Sequence, residues 1–283
     1  MWAWKKYIHA EQEAEWQERL ADFPWAVITA QPQAKRLLIE VYDEEPAKLL
    51  ALYSGFGGSC SPVEEKDWVA ATAPENTPPL LIRDRLVIAA SPEQLAELQQ
   101  RYPRRVVLCF PAEMAFGTGN HATTSTCLRM LCDEAAQRPR GAWRLIDAGC
   151  GTGVLGLAGV RLGAQCGICY DYDPVAVEIA ARNFERNGGA EQLQLFQADV
   201  FEWAPREEEK ADVLVANLFA TILQRAFPRL KACLAGPQSV LIVSGILREQ
   251  AEDTLSAARE AGFELVKKVA SGKWVTMKLI PCA

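Results

Sequence analysis

In the second half of the chain, continuous apolar runs alternate with longer stretches whose apolar residues recur every three or four positions. Residues 106–110, 144–147, 167–171, 193–197, 213–216 and 240–244 form the runs and predict strands. Residues 123–137, 154–162, 174–187, 218–234 and 246–261 carry the helical period. A strand that is apolar throughout must be covered on both faces, so the pattern predicts a doubly wound α/β sheet with helices above and below. The period changes once more near the end. Residues 263–269 and 273–280, joined through Ala270-Ser271-Gly272, read as an antiparallel hairpin.

The first part of the chain is patterned differently. Residues 4–10 predict a strand and 11–22 an amphipathic helix with Ala14, Trp16 and Leu20 as its apolar positions. Residues 25–29 and 36–42 predict a hairpin, 46–53 a short helix, and 59–63 an edge strand after a Gly-rich turn. This β-α-β-β-α-β order is the ferredoxin-like α+β pattern. Residues 64–103, rich in Pro and Glu, read as a linker with some structure: a strand at 86–89 and a helix at 92–102. The expected organisation is therefore a small domain at 1–63, a linker at 64–103 and the doubly wound domain at 104–283.

Composition narrows the setting. The net charge of −6 speaks against a non-specific nucleic-acid binder and suits a basic partner. No apolar run reaches the roughly 18 residues of a membrane span. The N-terminus passes from Met1-Trp2-Ala3-Trp4-Lys5-Lys6 into a charged stretch, which is not a signal-peptide pattern. A cytoplasmic monomer is expected. The nine cysteines are odd in number and scattered, against a disulfide framework. Cys166-Gly167-Ile168-Cys169 has neither a second pair nor a nearby His, so these read as buried thiols, and no metal is expected.

The candidate chemistry starts at Gly151-Thr152-Gly153-Val154-Leu155-Gly156, a G-x-G-x-x-G at a predicted strand-to-helix turn. Asp171 follows Gly151 by 20 residues, at the end of the next strand. An NAD-dependent dehydrogenase, or a non-catalytic nucleotide-binding module, has the same spacing. Two features favour S-adenosylmethionine. Asp147, two residues before Gly149, would repel a pyrophosphate but favours a cofactor carrying a sulfonium and an ammonium. The C-terminal hairpin is foreign to dinucleotide domains, and no room for a separate substrate domain is expected after Ile280. A parallel sheet closed by such a hairpin is the Rossmann-like fold of class I methyltransferases. On this reading Gly149, Gly151 and Gly153 admit the cofactor to the backbone, and Asp171 accepts from its ribose hydroxyls. Helix capping is the plain alternative for Asp171, although Asp173, ahead of Pro174, suits that better. Asp199, after the third strand, reads either as an adenine neighbour or as an N-cap.

Ala115-Phe116-Gly117-Thr118-Gly119-Asn120-His121-Ala122-Thr123-Thr124 resembles the lid and cofactor motif of the PrmA family, which methylates ribosomal protein L11 of the large subunit. Residues 147–153, Tyr170-Asp171-Tyr172-Asp173-Pro174, residues 183–188, Ala216-Asn217-Leu218-Phe219-Ala220 and Ser244-Gly245-Ile246-Leu247 resemble the same family in order. The resemblance runs from about Asp67 to the end. It departs where the family has Thr-His-Pro-Thr-Thr and this chain has Asn120-His121-Ala122-Thr123-Thr124. It departs again where the second of two linker tryptophans is replaced by Thr72. The resemblance implies cofactor contacts at Thr124, Gly149, Asp171 and Asn217, with Phe116, Gly117 and Thr118 in the lid and Tyr172 beside Asp171. It also implies that the N-terminal domain recognises the ribosomal protein.

Asn217 follows a strand where amino-directed methyltransferases bring an Asn to the amine. Its amide oxygen, or the Asn217 and Leu218 carbonyls, can orient the nitrogen lone pair; the structural alternative is a helix N-cap. The Asn-Pro-Pro-Tyr of nucleic-acid and glutamine methyltransferases is absent, which points to a different amine. Phe116 and Phe219 read as walls of a methyl-transfer channel or as core. His121 reads as a general base or as an organiser of the glycine-rich lid. The expected function is methyl transfer from S-adenosylmethionine, leaving S-adenosylhomocysteine, to lysine side-chain and/or N-terminal amines of a ribosomal large-subunit protein. A methyltransferase for another protein or a small amine is the alternative.

Overall fold

The computed structural model describes residues 2–9, 27–30, 36–43, 45–62, 78–111 and 121–282, together with Gln12, Trp16, Arg19 and Leu20. The chain divides into two compact units, Met1–Glu75 and Asn76–Ala283.

The first unit contains β1 (Trp2–His9), β2 (Val27–Ala30), β3 (Arg36–Asp43), α1 (Pro46–Phe56) and β4 (Ser59–Pro62). The sheet order is β2-β3-β1-β4, with every neighbouring pair antiparallel. This is the order a β-α-β-β-α-β chain takes. The helix predicted over 11–22 lies mostly outside the described residues, but its Trp16 and Leu20 are buried. They pack with Trp4 and Ile8 of β1, Ile39 and Val41 of β3, and Leu49 and Leu52 of α1. The Trp4 indole N–H donates to the Gly57 carbonyl at 2.8 Å, fastening the end of α1 to β1.

The second unit begins with a small sheet, where linker was expected. β5 (Leu80–Ile82), β6 (Leu86–Ala89), α2 (Pro92–Arg101) and β7 (Val106–Cys109) form it in the order β5-β6-β7. Alternation explains why it joins this unit. Val87, Ala89 and Val107 pack with Leu98 of α2, whereas Leu86, Ile88 and Leu108 face the main core. Residues 106–110 were expected in the main sheet. Instead β7 runs parallel to β6, and Asn187 clamps its outer edge by donating to the Cys109 carbonyl and accepting its N–H. Residues 64–77 of the expected linker, and Val63 before them, lie outside the described residues.

The main sheet follows: α3 (Ala122–Gln137), β8 (Arg144–Ala148), α4 (Val154–Leu162), β9 (Cys166–Asp171), α5 (Pro174–Asn187), β10 (Leu193–Gln197), β11 (Val213–Asn217), α6 (Ala220–Ala232), β12 (Val240–Leu247), α7 (Ala251–Glu260), β13 (Phe263–Ser271) and β14 (Trp274–Pro281). Its order is β10-β9-β8-β11-β12-β14-β13, parallel through β12 and antiparallel at the closing hairpin. Both faces are buried. Val213, Val215, Val240 and Ile242 point to one core; Leu214, Ala216, Leu241 and Val243 point to the other, under α6 and α7. That two-sided burial is why the strands read as unbroken apolar runs.

Two predicted boundaries move. β12 continues through Ser244-Gly245-Ile246-Leu247 by way of a register shift against β14 between Val243 and Ile246, so the helix expected from 246 starts at Ala251. α6 starts at Ala220, not 218. Of the two thiols expected to be buried, Cys169 is, but Cys166 is exposed at the first position of β9. Among the described residues no helix is long and apolar enough to cross a membrane, and no group of three His, Cys, Asp or Glu is placed to hold a metal ion.

Candidate functional site

The order of the parallel strands reverses between β8 and β11, and the carboxyl ends of strands at such a switch point open into a crevice. β8 delivers residues 147–153 there, and β11 delivers Asn217 and Leu218. Ala216 pairs with Ala148, so Asn217 stands across from the first glycine of the loop.

The glycine loop is held by its own backbone. The N–H groups of Gly149 and Cys150 both donate to the Tyr170 carbonyl, at 2.9 and 3.0 Å, and Gly153 N–H donates to the Cys150 carbonyl. Buried Asn183 donates to the Thr152 carbonyl at 3.1 Å, a support that the sequence reading left unassigned. Gly153 caps α4 at φ +78°, and a Cβ there would sit 2.4 Å from the Phe184 ring. Glycine at 153 therefore answers to packing within the chain as well as to any ligand. Gly153→Ala is expected to lower stability by about 2–3 kcal/mol, combining left-handed strain with overpacking. Chemical denaturation measures this, and an unchanged midpoint would show that Phe184 moves aside freely.

Asp147 is completely buried. Its Oδ2 accepts the N–H of Gly156 in the first turn of α4, at 2.8 Å. Its Oδ1 is buried with no partner among the described residues. Burial pushes its carboxyl up to about 7; the Gly156 bond pulls the other way, and the charge of Asp171 adds to the rise. Asp171, half-buried at the end of β9, accepts from Gly151 N–H at 2.8 Å and from Asp173 N–H at 3.0 Å. The N-cap of α5 is Asp173, whose carboxylate accepts from Val175 N–H at 2.8 Å. Asp199 accepts from Phe201 N–H and so turns the chain after β10. Tyr172 is 72% exposed beside Asp171.

Asn217 does not cap a helix: the N-cap of α6 is Phe219. Its amide nitrogen donates to the hydroxyls of Thr123 and Thr124, at 3.2 and 3.3 Å. Thr123 Oγ1 in turn lies 2.7 Å from His121 Nδ1. His121 is the N-cap of α3, its ring edge-on to Trp274, and burial followed by the Lys273 charge lowers its pKa. This network fixes the amide and leaves Asn217 Oδ1 buried without a partner among the described residues. Thr123 was not singled out by the sequence reading, although it adjoins Thr124, which was. Leu218 donates its N–H to the Ser244 carbonyl and wedges its side chain over Gly149. Its carbonyl lies 2.3 Å from where a Cβ on Gly245 (φ +85°) would fall, so position 245 admits no side chain. Phe219 is 70% exposed at the same end of the sheet, which removes it from the core. Phe116, Gly117 and Thr118 lie outside the described residues.

Among the described residues, two of the buried side-chain atoms without partners are oxygens at the switch point: Asp147 Oδ1, an acceptor once the carboxyl is ionised, and Asn217 Oδ1, an acceptor in every state. The crevice is thus built to receive hydrogen-bond donors and positive charge.

A sequence model of the family described as ribosomal protein L11 methyltransferase (PrmA) matches residues 6–280. The ribosomal protein L11 methyltransferase of Pelotomaculum thermopropionicum is 37% identical over 247 residues, 87% of this chain and 74% of that protein. The protein of the same name from Actinobacillus succinogenes is 34% identical over 232 residues, 81% of this chain and 73% of that one. Among solved structures, a ribosomal protein L11 methylase from Lactobacillus delbrueckii subsp. bulgaricus superposes with a TM-score of 0.61 at 23% identity. That match covers 72% of this chain and 99% of that one, and it shows the shared fold.

Proposed function

We propose, because the chain belongs to the ribosomal protein L11 methyltransferase family of S-adenosylmethionine-dependent protein methyltransferases, that it methylates lysine side-chain and/or N-terminal amines of ribosomal protein L11. The observation that carries this reading is the pair of unpartnered buried acceptors, Asp147 Oδ1 and Asn217 Oδ1, at the ends of adjacent strands. They suit a cofactor and a substrate that both arrive with N–H donors, and they would repel a dinucleotide pyrophosphate.

S-adenosylmethionine supplies a methyl carbon already activated by its sulfonium, so the chain's own work is placement. Asp147 Oδ1 accepts from the cofactor's ammonium. Asp171 takes the ribose hydroxyls, since each of its oxygens keeps a lone pair beyond its backbone bond. Asp199 lies towards the adenine and Tyr172 borders the cofactor, and the cofactor-contact role that the family motif implies for Phe116, Gly117 and Thr118 is carried over. Thr124 acts through Asn217, whose Oδ1 accepts one N–H of the incoming amine and turns its lone pair to the methyl carbon. Lysine, with a pKa near 10.4 in water, must lose its proton first, and desolvation at the crevice favours that loss. His121 holds Thr123 and the start of α3 and so organises the lid. A ribosomal protein as the substrate supports a cytoplasmic location.

The direct test is mass spectrometry of ribosomal protein L11 after incubation with the enzyme and isotopically labelled cofactor. Labelled methyl groups on lysine or the amino terminus are expected; label confined to other proteins would refute the substrate assignment. Asp171→Ala is expected to weaken cofactor binding by about 2–3 kcal/mol, the scale of charge-assisted hydrogen bonds. Equal affinity by calorimetry would remove Asp171 from the site. The first unit, Met1–Glu75, carries substrate recognition in this proposal. A chain beginning at Asn76 is expected to bind cofactor as the whole chain does yet to lose methylation of intact L11. Full activity of that shortened chain would place recognition in the second unit.

A further inference from the structure

The opposite end of the main sheet carries a separate feature. Where β8, β9 and β10 begin, a cavity of about 790 Å³ is bounded by residues 102–107, the turn before β8, the end of α4 and Gln192. Four arginines line it, Arg104, Arg105, Arg140 and Arg161, and no Asp or Glu does. In a chain with 36 acidic and 30 basic residues this is a strongly one-signed place. Arg140 and Arg161 donate to neutral carbonyls, those of Leu162 and Asn187, each at 3.3 Å. Arg105 lies over the Tyr102 ring, 5.1 Å from its centroid, and its Nη1 is buried with no hydrogen-bond partner among the described residues. A buried guanidinium nitrogen left this way is costly, so Arg105 gains by turning towards an acceptor in the cavity that it lines. The carbonyl end of α4 would repel an anion, but it is covered: Gly163 and Ala164 N–H and Arg140 engage its last carbonyls.

We infer that this cavity is a binding site for a ligand bearing adjacent phosphates, remote from the methyl-transfer crevice. Guanidinium forks match phosphate oxygens two at a time, and the combined charge of four guanidiniums exceeds that of one phosphate group. The volume likewise exceeds a single phosphate and suits either a small polyphosphate or a stretch of RNA backbone. The net charge of −6 does not oppose this, because the local field of four guanidiniums governs encounter at close range. The inference stands independently of the methylation reading.

The experiment titrates the full-length protein with pyrophosphate by calorimetry, and with a labelled single-stranded RNA by anisotropy, at about 50 mM and about 200 mM salt. The comparison is the double variant Arg104→Gln/Arg140→Gln, both exposed positions whose loss leaves the core intact. Saturable binding is expected, weakened at least about tenfold in the double variant and falling with salt, while cofactor affinity stays unchanged. Pyrophosphate should displace the RNA from one shared site. RNA binding the more tightly identifies a nucleic-acid backbone as the source, and pyrophosphate binding the more tightly identifies a small polyphosphate. Absence of saturable binding for both probes overturns the inference, and so does equal binding by wild type and double variant.

Discussion

Asn217→Ala is expected to slow methyl transfer about 100-fold in a single turnover, with cofactor affinity changed no more than a few-fold, the scale of misplacing a reacting group. The amide is pinned on its nitrogen side by Thr123 and Thr124, and Thr123 is in turn engaged by His121. Its oxygen keeps no partner among the described residues. An alanine therefore removes an acceptor that the amine meets mainly as it is turned towards the methyl carbon, which acts on the transition state more than on binding. Thermal unfolding of the same variant is the control. A fall in melting temperature that accounts for the whole loss of activity would make Asn217 a structural tether between β11 and α3. A rate within a few-fold of wild type would take it out of the mechanism.

The second large effect belongs to Asp147. Burial, opposed by the Gly156 bond and aided by Asp171, holds its carboxyl at about 7 in the folded chain. The folded value thus stands above that of an ordinary carboxylate. The group contributes stability that is fully present below about pH 4 and is lost as pH rises to about 7, an effect of up to about 4 kcal/mol for a buried group. A cofactor ammonium beside Oδ1 reverses the balance by stabilising the charged form. Binding should therefore tighten between about pH 5 and pH 7 and release about half a proton at pH 7, read by calorimetry in two buffers of different ionisation enthalpy. Asp147→Asn keeps an acceptor for Gly156 but not the charge. It should weaken binding roughly 10- to 100-fold at pH 8 and abolish the proton release. A wild-type affinity flat across this range would place the ammonium elsewhere.

The parts of this fold that show in the sequence are those where one local rule decides the outcome. α4 and α5 run over the predicted residues because Gly153, Asp173 with Pro174, and Gly188 mark their ends chemically. The main strands show because both faces are buried. The apolar run of β12 predicts its residues 240–244 only, whereas pairing with β14 carries the strand on through an irregularity at Ser244-Gly245. An apolar run predicts the strand β7 but not its neighbour, which is β6 and not a strand of the main sheet; the Asn187 clamp comes from a helix 78 residues later. At the site, glycines and carboxylates could be placed by spacing alone. Thr123 and Asn183 lie in stretches that resemble the family, but their roles are contacts between distant segments, which spacing along the chain does not give.

Gly245 has a consequence for anyone screening variants of this enzyme. No ligand need touch it, yet the Leu218 carbonyl fills the space a methyl group would take and the backbone is left-handed there. Even the mildest replacement must push against the peptide that links Asn217 to α6, at the crevice proposed for methyl transfer. A saturation library scored by activity will therefore rank position 245 among the intolerant ones, beside residues that touch the reactants. Ranking the same library by folded abundance would separate the two kinds of loss. Substitutions at 245 should deplete in both screens, whereas those at Asn217 should deplete in the activity screen alone.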